Sequence, residues 1–132
     1  MRLVRSLLAV LLGFAFFALV TGLVTPYAMR AFGVAEVASF EMSFFMANLS
    51  VVVLAALVAG YFTGRVAGRL EIAHAAAVGI VMIVAAFLAM RQRGAVMPGP
   101  YELTTAGCGP ISAMVGAGVA MLQRLRRDRT QR

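Results

Sequence analysis

Three places in this sequence hold residue types that could do chemistry. The first is Glu71 with His74, three residues apart. On a helix that spacing puts both side chains on one face, where they can pair. His74 is the only histidine, so a bis-histidine haem site or a histidine-rich metal site cannot form within one chain. Two readings remain: an interfacial histidine tied to Glu71 or to lipid headgroups, and a contact sensitive to pH.

The second place is Thr104-Thr105-Ala106-Gly107-Cys108-Gly109-Pro110. Cys108 is the only cysteine, which excludes paired-thiol chemistry, and no general base lies near it in sequence to activate a nucleophile. A small packing residue is the expected role. The backbone around it is less ordinary. Pro110 lacks an N–H, so the Ala106 carbonyl loses its helical partner, and Gly107 and Gly109 loosen the turn further. Thr104 and Thr105 are placed to satisfy the freed groups. Helices broken in this way line substrate sites in transporters, and prolines are also tolerated in membrane helices as plain kinks. Elsewhere, Thr21, Asn48 and Ser50 are polar groups within apolar runs, suited to interhelical hydrogen bonds.

The third place is the C-terminal run Arg124, Arg126, Arg127, Arg129 and Arg132. Arginines beside a membrane are attracted to anionic headgroups, each by about 1 kcal/mol. An acidic partner or RNA would be the other class of ligand. No aromatic side chain is interleaved among these arginines to stack on bases, so no nucleic-acid partner is expected.

What these residues can do depends on the elements that hold them, and composition identifies those. Of 132 residues, 62% are hydrophobic and 13% charged, with a mean hydropathy of +0.92. Soluble domains run at about 45–50% apolar and about 25% charged. So much apolar surface cannot be hidden in a water-soluble fold of this length. Disorder needs a polar, highly charged chain, and a disulfide scaffold needs paired cysteines. An integral membrane protein remains.

Crossing the hydrocarbon takes about 20 apolar residues. Four runs meet this: 6–25, 42–63, 72–90 and 101–122, the first followed by Pro26, which is expected to stop it. The whole chain, 1–132, thus reads as one all-α domain of four transmembrane helices in a compact bundle, with a basic tail over 123–132. The first run is longer than the apolar core of a secretory signal, and no Ala-x-Ala site follows it, so a retained helix is expected.

The net charge of +7 then sorts along the spans. Of the twelve basic residues, all arginine, nine fall at one end: Arg2, Arg5, Arg65, Arg69 and the five of the C-terminal run. Arg30, Arg91 and Arg93 fall at the other, where Glu36, Glu41 and Glu102 offset them. Arginine-rich ends stay in the cytoplasm, which predicts cytoplasmic N- and C-termini.

In lipid, helices associate through small residues that let backbones approach. The second span carries Ala56, Gly60, Gly64 and Gly68, each four apart. The third has Ala75 and Gly79, the fourth Ser112, Gly116 and Ala120 with Gly118 beside them, and the first Ala18 and Gly22. These faces predict packing within the chain. A homo-oligomer or a partner membrane protein is the other use for them.

The middle of every span lacks an ionisable group, which argues against a carboxylate-driven pump. With no carboxylate pair, metal cluster or activated nucleophile, neither enzymatic activity nor a cofactor is expected. A non-enzymatic structural or accessory subunit is the first reading. An oligomeric small-solute transporter or channel using the kinked fourth helix is the second.

The run Gly60-Tyr61 to Ala67-Gly68-Arg69, followed by His74-Ala75 and Gly79, resembles that of uncharacterised small four-span bacterial inner-membrane proteins. Pro100-Tyr101, Pro110 and Gly116 are similar to their fourth helix. The resemblance covers the second half of the chain. It implies a bacterial inner-membrane location and a four-helix fold, and brings no catalytic residues.

Overall fold

The structure, a computed structural model, describes residues 2–34, 42–92 and 99–131. Within them run four helices: α1 (Arg2–Phe32), α2 (Met42–Ala67), α3 (Glu71–Gln92) and α4 (Pro100–Thr130). No strand is present among the described residues. Each helix is long and apolar enough to cross a membrane, so the all-α four-helix architecture expected from composition is the one observed. Glu36, Glu41, Arg93 and Arg132 lie outside the described residues.

The helix ends follow from local chemistry. Gly33, at φ 67°, closes α1 in a Schellman motif: its N–H donates to the Arg30 carbonyl (3.3 Å) and that of Val34 to Met29 (2.9 Å). Gly68, at φ 69°, ends α2 with a single bond from its N–H to the Gly64 carbonyl (3.1 Å). Pro100 starts α4 at a position where its missing N–H costs nothing, and the Glu102 carboxylate accepts from the Gly99 N–H (3.1 Å).

Two boundaries differ from the expectation. Pro26 lies inside α1 rather than ending it. The one carbonyl it deprives is that of Gly22, and membrane helices tolerate such a proline by local adjustment, so α1 runs on through it. At the other terminus, α4 continues through Gln123 to Thr130, so the basic segment is helical over its described length rather than a separate tail. With 31 residues each, α1 and α4 are about 46 Å long against a hydrocarbon core of about 30 Å. Both project beyond it.

α2 packs against all three other helices, whereas α1 and α4 do not meet. The α2–α4 contact is the closest. A methyl group at Gly60 would overlap the Ala113 carbonyl, and one at Gly116 would overlap that of Leu57. At Gly64 it would lie 3.1 Å from the Ala120 Cβ and 3.3 Å from the Ala117 Cα. These backbones touch because no side chain stands between them. On the third helix, Gly79 receives Pro110: a Cβ there would sit 2.8 Å from that of the proline. Ala56, Ala59, Val78 and Met82 form the buried centre, with Phe14 and Phe17 of α1 against it. Large apolar side chains such as Leu12, Leu54, Leu88 and Ile111 face outward, as lipid contact requires.

Candidate functional site

Two regions gather the polar side chains, one at each end of the bundle. At the end shared by both termini, α3 begins with Glu71, which is only 3% exposed. Its carboxylate pairs with the Arg124 guanidinium of α4 at 2.6 Å. Arg124 also donates to the Gly68 carbonyl in the turn before α3. From α1, Arg5 Nε donates to the Val66 carbonyl (2.6 Å), one of those left open at the end of α2. Tyr61 donates to Gln123 (2.9 Å), and the Arg65 guanidinium stacks 5.9 Å from the Tyr61 ring. Two arginines from separate helices therefore hold one turn.

This arrangement corrects three expectations. Glu71 pairs with Arg124 and not with His74, whose ring is bound to the Leu70 carbonyl (Nδ1 to O, 2.9 Å). Arg124 in turn faces Glu71 rather than headgroups, because the buried carboxylate needs a cation beside it. Arg126, Arg127 and Arg129 do lie exposed on the last turns of α4. Gly68 serves the turn instead of the helix-packing stripe: α2 ends one residue earlier, and the positive φ is what glycine supplies there. Leu70 also has positive φ, 54°, a conformation that costs a side-chain-bearing residue about 1–2 kcal/mol.

At the opposite end, a cleft of about 340 Å³ opens between α1, α3 and α4. Its polar lining comprises Thr21, Thr25, Glu102 and Thr105, and its small residues include Ala18, Gly22 and Gly109. Thr25 donates to the Asn48 Oδ1 (2.9 Å), joining α1 to a fully buried amide on α2. Thr21 instead bonds to its own helix, at the Phe17 carbonyl (2.8 Å), and so does Ser50, at Met46 (2.8 Å).

The segment around Pro110 divides between packing and cleft. Thr105 and Gly109 line the cleft, whereas Thr104, Gly107 and Pro110 do not. Helix α4 runs through Pro110 without a break. The two threonines bond to carbonyls before the one the proline frees: Thr104 to Pro100 (2.7 Å) and Thr105 to Glu102 (3.1 Å). Pro110 itself acts as a knob on Gly79. Cys108 is half-buried and unbridged.

Among the expected packing positions, Ala56, Gly60, Gly64, Ala75, Gly79, Gly116 and Ala120 are buried, while Ser112 is half-buried and Ala18 and Gly22 are exposed. Sequence reasoning missed Ala113 and Ala117, which carry the α4 face beside Gly109, and Gly13, which lets the Thr63 hydroxyl approach α1. That hydroxyl lies between the carbonyls of Ala59 (2.9 Å) and Ala9 (3.3 Å). Both sets were visible as small residues four apart: Gly109, Ala113 and Ala117, and Ala9 with Gly13. No group of three or more potential metal ligands occurs among the described residues. Compared with protein-family models, curated proteins and solved structures, the chain matches none of them.

Proposed function

We propose that this chain is a multi-pass protein of the bacterial inner membrane, with both termini in the cytoplasm, and that it works as a non-catalytic accessory subunit through a helix contact made by α1. One observation carries this reading. The small faces of α2 and α4 are consumed against each other, but Gly22 of α1 has nothing within 4 Å of a Cβ position. Helix α1 also buries the smallest share of its apolar span among the four, and it leaves a cleft where it fails to meet α4. An exposed Ala18–Gly22 face is what a partner membrane helix needs for close approach.

Purification of the full chain in mild detergent, with identification of what accompanies it, tests this reading. Gly22→Leu is the informative variant, because its site is open and the bundle can fold around it. A membrane protein that accompanies the native chain and is lost with Gly22→Leu, at unchanged melting temperature, supports the reading. A companion retained at full stoichiometry overturns it.

The polar lining of the cleft favours a second reading. Thr21, Thr25, Glu102 and Thr105 give it hydrogen-bonding groups, and its volume falls within the roughly 300–1,000 Å³ of small-molecule sites. A homo-oligomer with no other protein, together with solute flux in liposomes that Thr105→Val reduces, would establish a carrier instead.

A further inference from the structure

A second cavity, of about 590 Å³, lies at the turn between α2 and α3 and is lined by Arg5, Ser6, Gly68, Arg69, Leu70 and His74. We infer that it is a binding site for a phosphate group, carried by an anionic lipid headgroup or free in solution.

The lining is cationic, and none of its arginines is paired with a carboxylate among the described residues. The carboxylate nearest in sequence, Glu71, is buried against Arg124. Arg5 spends its Nε on the Val66 carbonyl, which fixes the guanidinium and leaves its terminal nitrogens as donors. One of them passes 2.7 Å from where a Cβ of Gly68 would stand, so the glycine is what lets the guanidinium lie across the turn. Arg69, in the turn itself, is exposed and makes no ion pair among the described residues. Guanidinium groups match phosphate oxygens with parallel N–H donors, which makes arginine the preferred residue for this ligand.

His74 is fixed as well. A carbonyl can only accept, so the ring nitrogen facing Leu70 must be Nδ1–H. The ring so held forms part of the cavity wall. The Leu70 carbonyl that holds the ring also accepts the His74 backbone N–H (3.1 Å), so a residue with unfavourable φ orients the histidine. Strain of this kind, held in place by surrounding bonds, collects at ligand sites. Exposed apolar side chains surround the cavity, Val4, Leu7 and Leu8 beside Arg5 and Leu70 at 74% exposure, as a site at headgroup depth would require.

Native mass spectrometry of the full chain in neutral detergent tests the site. The probes are phosphatidylglycerol, phosphatidylcholine and inorganic phosphate. Phosphatidylglycerol should be retained in preference to phosphatidylcholine, and Arg69→Gln should weaken that retention about tenfold. Ser6→Leu, which fills the cavity from α1, should weaken it similarly. Arg127→Gln, on the exposed end of α4, should leave it unchanged, and melting temperatures establish that each variant is folded. Displacement of the lipid by millimolar inorganic phosphate, or direct phosphate binding lost in Arg69→Gln, identifies free phosphate as the source. Retention undisturbed by phosphate identifies the headgroup. Equal retention of both lipids with no phosphate binding, or a loss with Arg127→Gln as large as with Arg69→Gln, overturns the inference.

Discussion

The Glu71 carboxylate and the Arg124 guanidinium lie 2.6 Å apart and join the first turn of α3 to the cytoplasmic extension proposed for α4. The two residues are unequal partners. Glu71 is 3% exposed, whereas the Arg124 side chain is 36% exposed. The carboxylate sits at a helix N-terminus, where the macrodipole favours negative charge, and the arginine remains hydrated on one side. Arg124 also donates to the Gly68 carbonyl, so it binds the turn as well as the helix.

Removing either partner should therefore have different consequences. Arg124→Ala leaves a buried carboxylate without its cation, a class of change that costs about 3–5 kcal/mol when the pair is fully desolvated. Partial hydration of Arg124 places the expected loss at or below about 3 kcal/mol. Glu71→Gln removes the charge but keeps the shape and should cost less. Thermal unfolding in detergent, followed by circular dichroism, should rank the proteins native, Glu71→Gln, Arg124→Ala. The double variant should be more stable than Arg124→Ala alone, and a double variant less stable than Arg124→Ala would refute this account.

The glycines separate into two groups with opposite expected signs. Gly60→Ala and Gly116→Ala place a methyl group on the facing backbone, so α2 and α4 must move apart and lose contacts along their whole length. Large drops in melting temperature and in yield are expected. Gly107→Ala and Gly118→Ala meet nothing within 4 Å, and each should stabilise its helix by about 0.5–1 kcal/mol through the lower entropy of alanine. Melting all four variants side by side checks the interface, since Gly60→Ala and Gly118→Ala alter the helices equally in composition.

How much of this was legible in the sequence depends on the range of the interaction. The four helices were legible, because length and apolar character alone determine what can cross a bilayer. The α2 stripe at Ala56, Gly60 and Gly64 was legible too, since only small residues recur at that spacing. Helix α4 carries two small series side by side, Ser112–Gly116–Ala120 and Gly109–Ala113–Ala117. Only the rotation of α4 against α2 decides that Ala113 and Ala117 are buried while Ser112 is half-exposed. The partner of Glu71 was hidden for another reason. His74 lies on the same helix face by spacing, but Arg124 arrives from the far end of the chain, and only the assembled bundle brings it there. Pro26 misled because a proline that commonly ends soluble helices is tolerated inside a membrane helix, where it removes only one backbone bond.

Thr25 and Asn48 test whether the cleft end is held by hydrogen bonding. The Thr25 hydroxyl donates to Asn48 Oδ1 at 2.9 Å, and Asn48 is fully buried. Polar pairs between membrane helices couple by about 0.6 kcal/mol on average and about 1.7 kcal/mol at most. A double-mutant cycle of Thr25→Val and Asn48→Ala should return a coupling in that range, with Asn48→Ala the more damaging single change. Zero coupling would mean that α1 is held at this level by packing alone.

The distribution of arginine makes the topology itself testable. Antiparallel packing puts Arg5, Arg65, Arg69, Arg124, Arg126, Arg127 and Arg129 at one end of the bundle, and Arg30 and Arg91 at the other. An end this basic resists translocation. Alkaline phosphatase, active only after export, should be inactive when fused after Arg132 and active when fused after Arg91. Replacing Arg65 and Arg69 with Gln leaves the basic residues of both termini in place, so the orientation should persist. Adding Arg2→Gln and Arg5→Gln strips the N-terminal determinant that usually dominates insertion, and a mixed population should then appear, read as partial phosphatase activity at both fusion points. Activity after Arg132 in the native sequence would invert the assignment. It would also move the phosphate cavity to the outer surface, since Arg5 and Arg69 travel with that end.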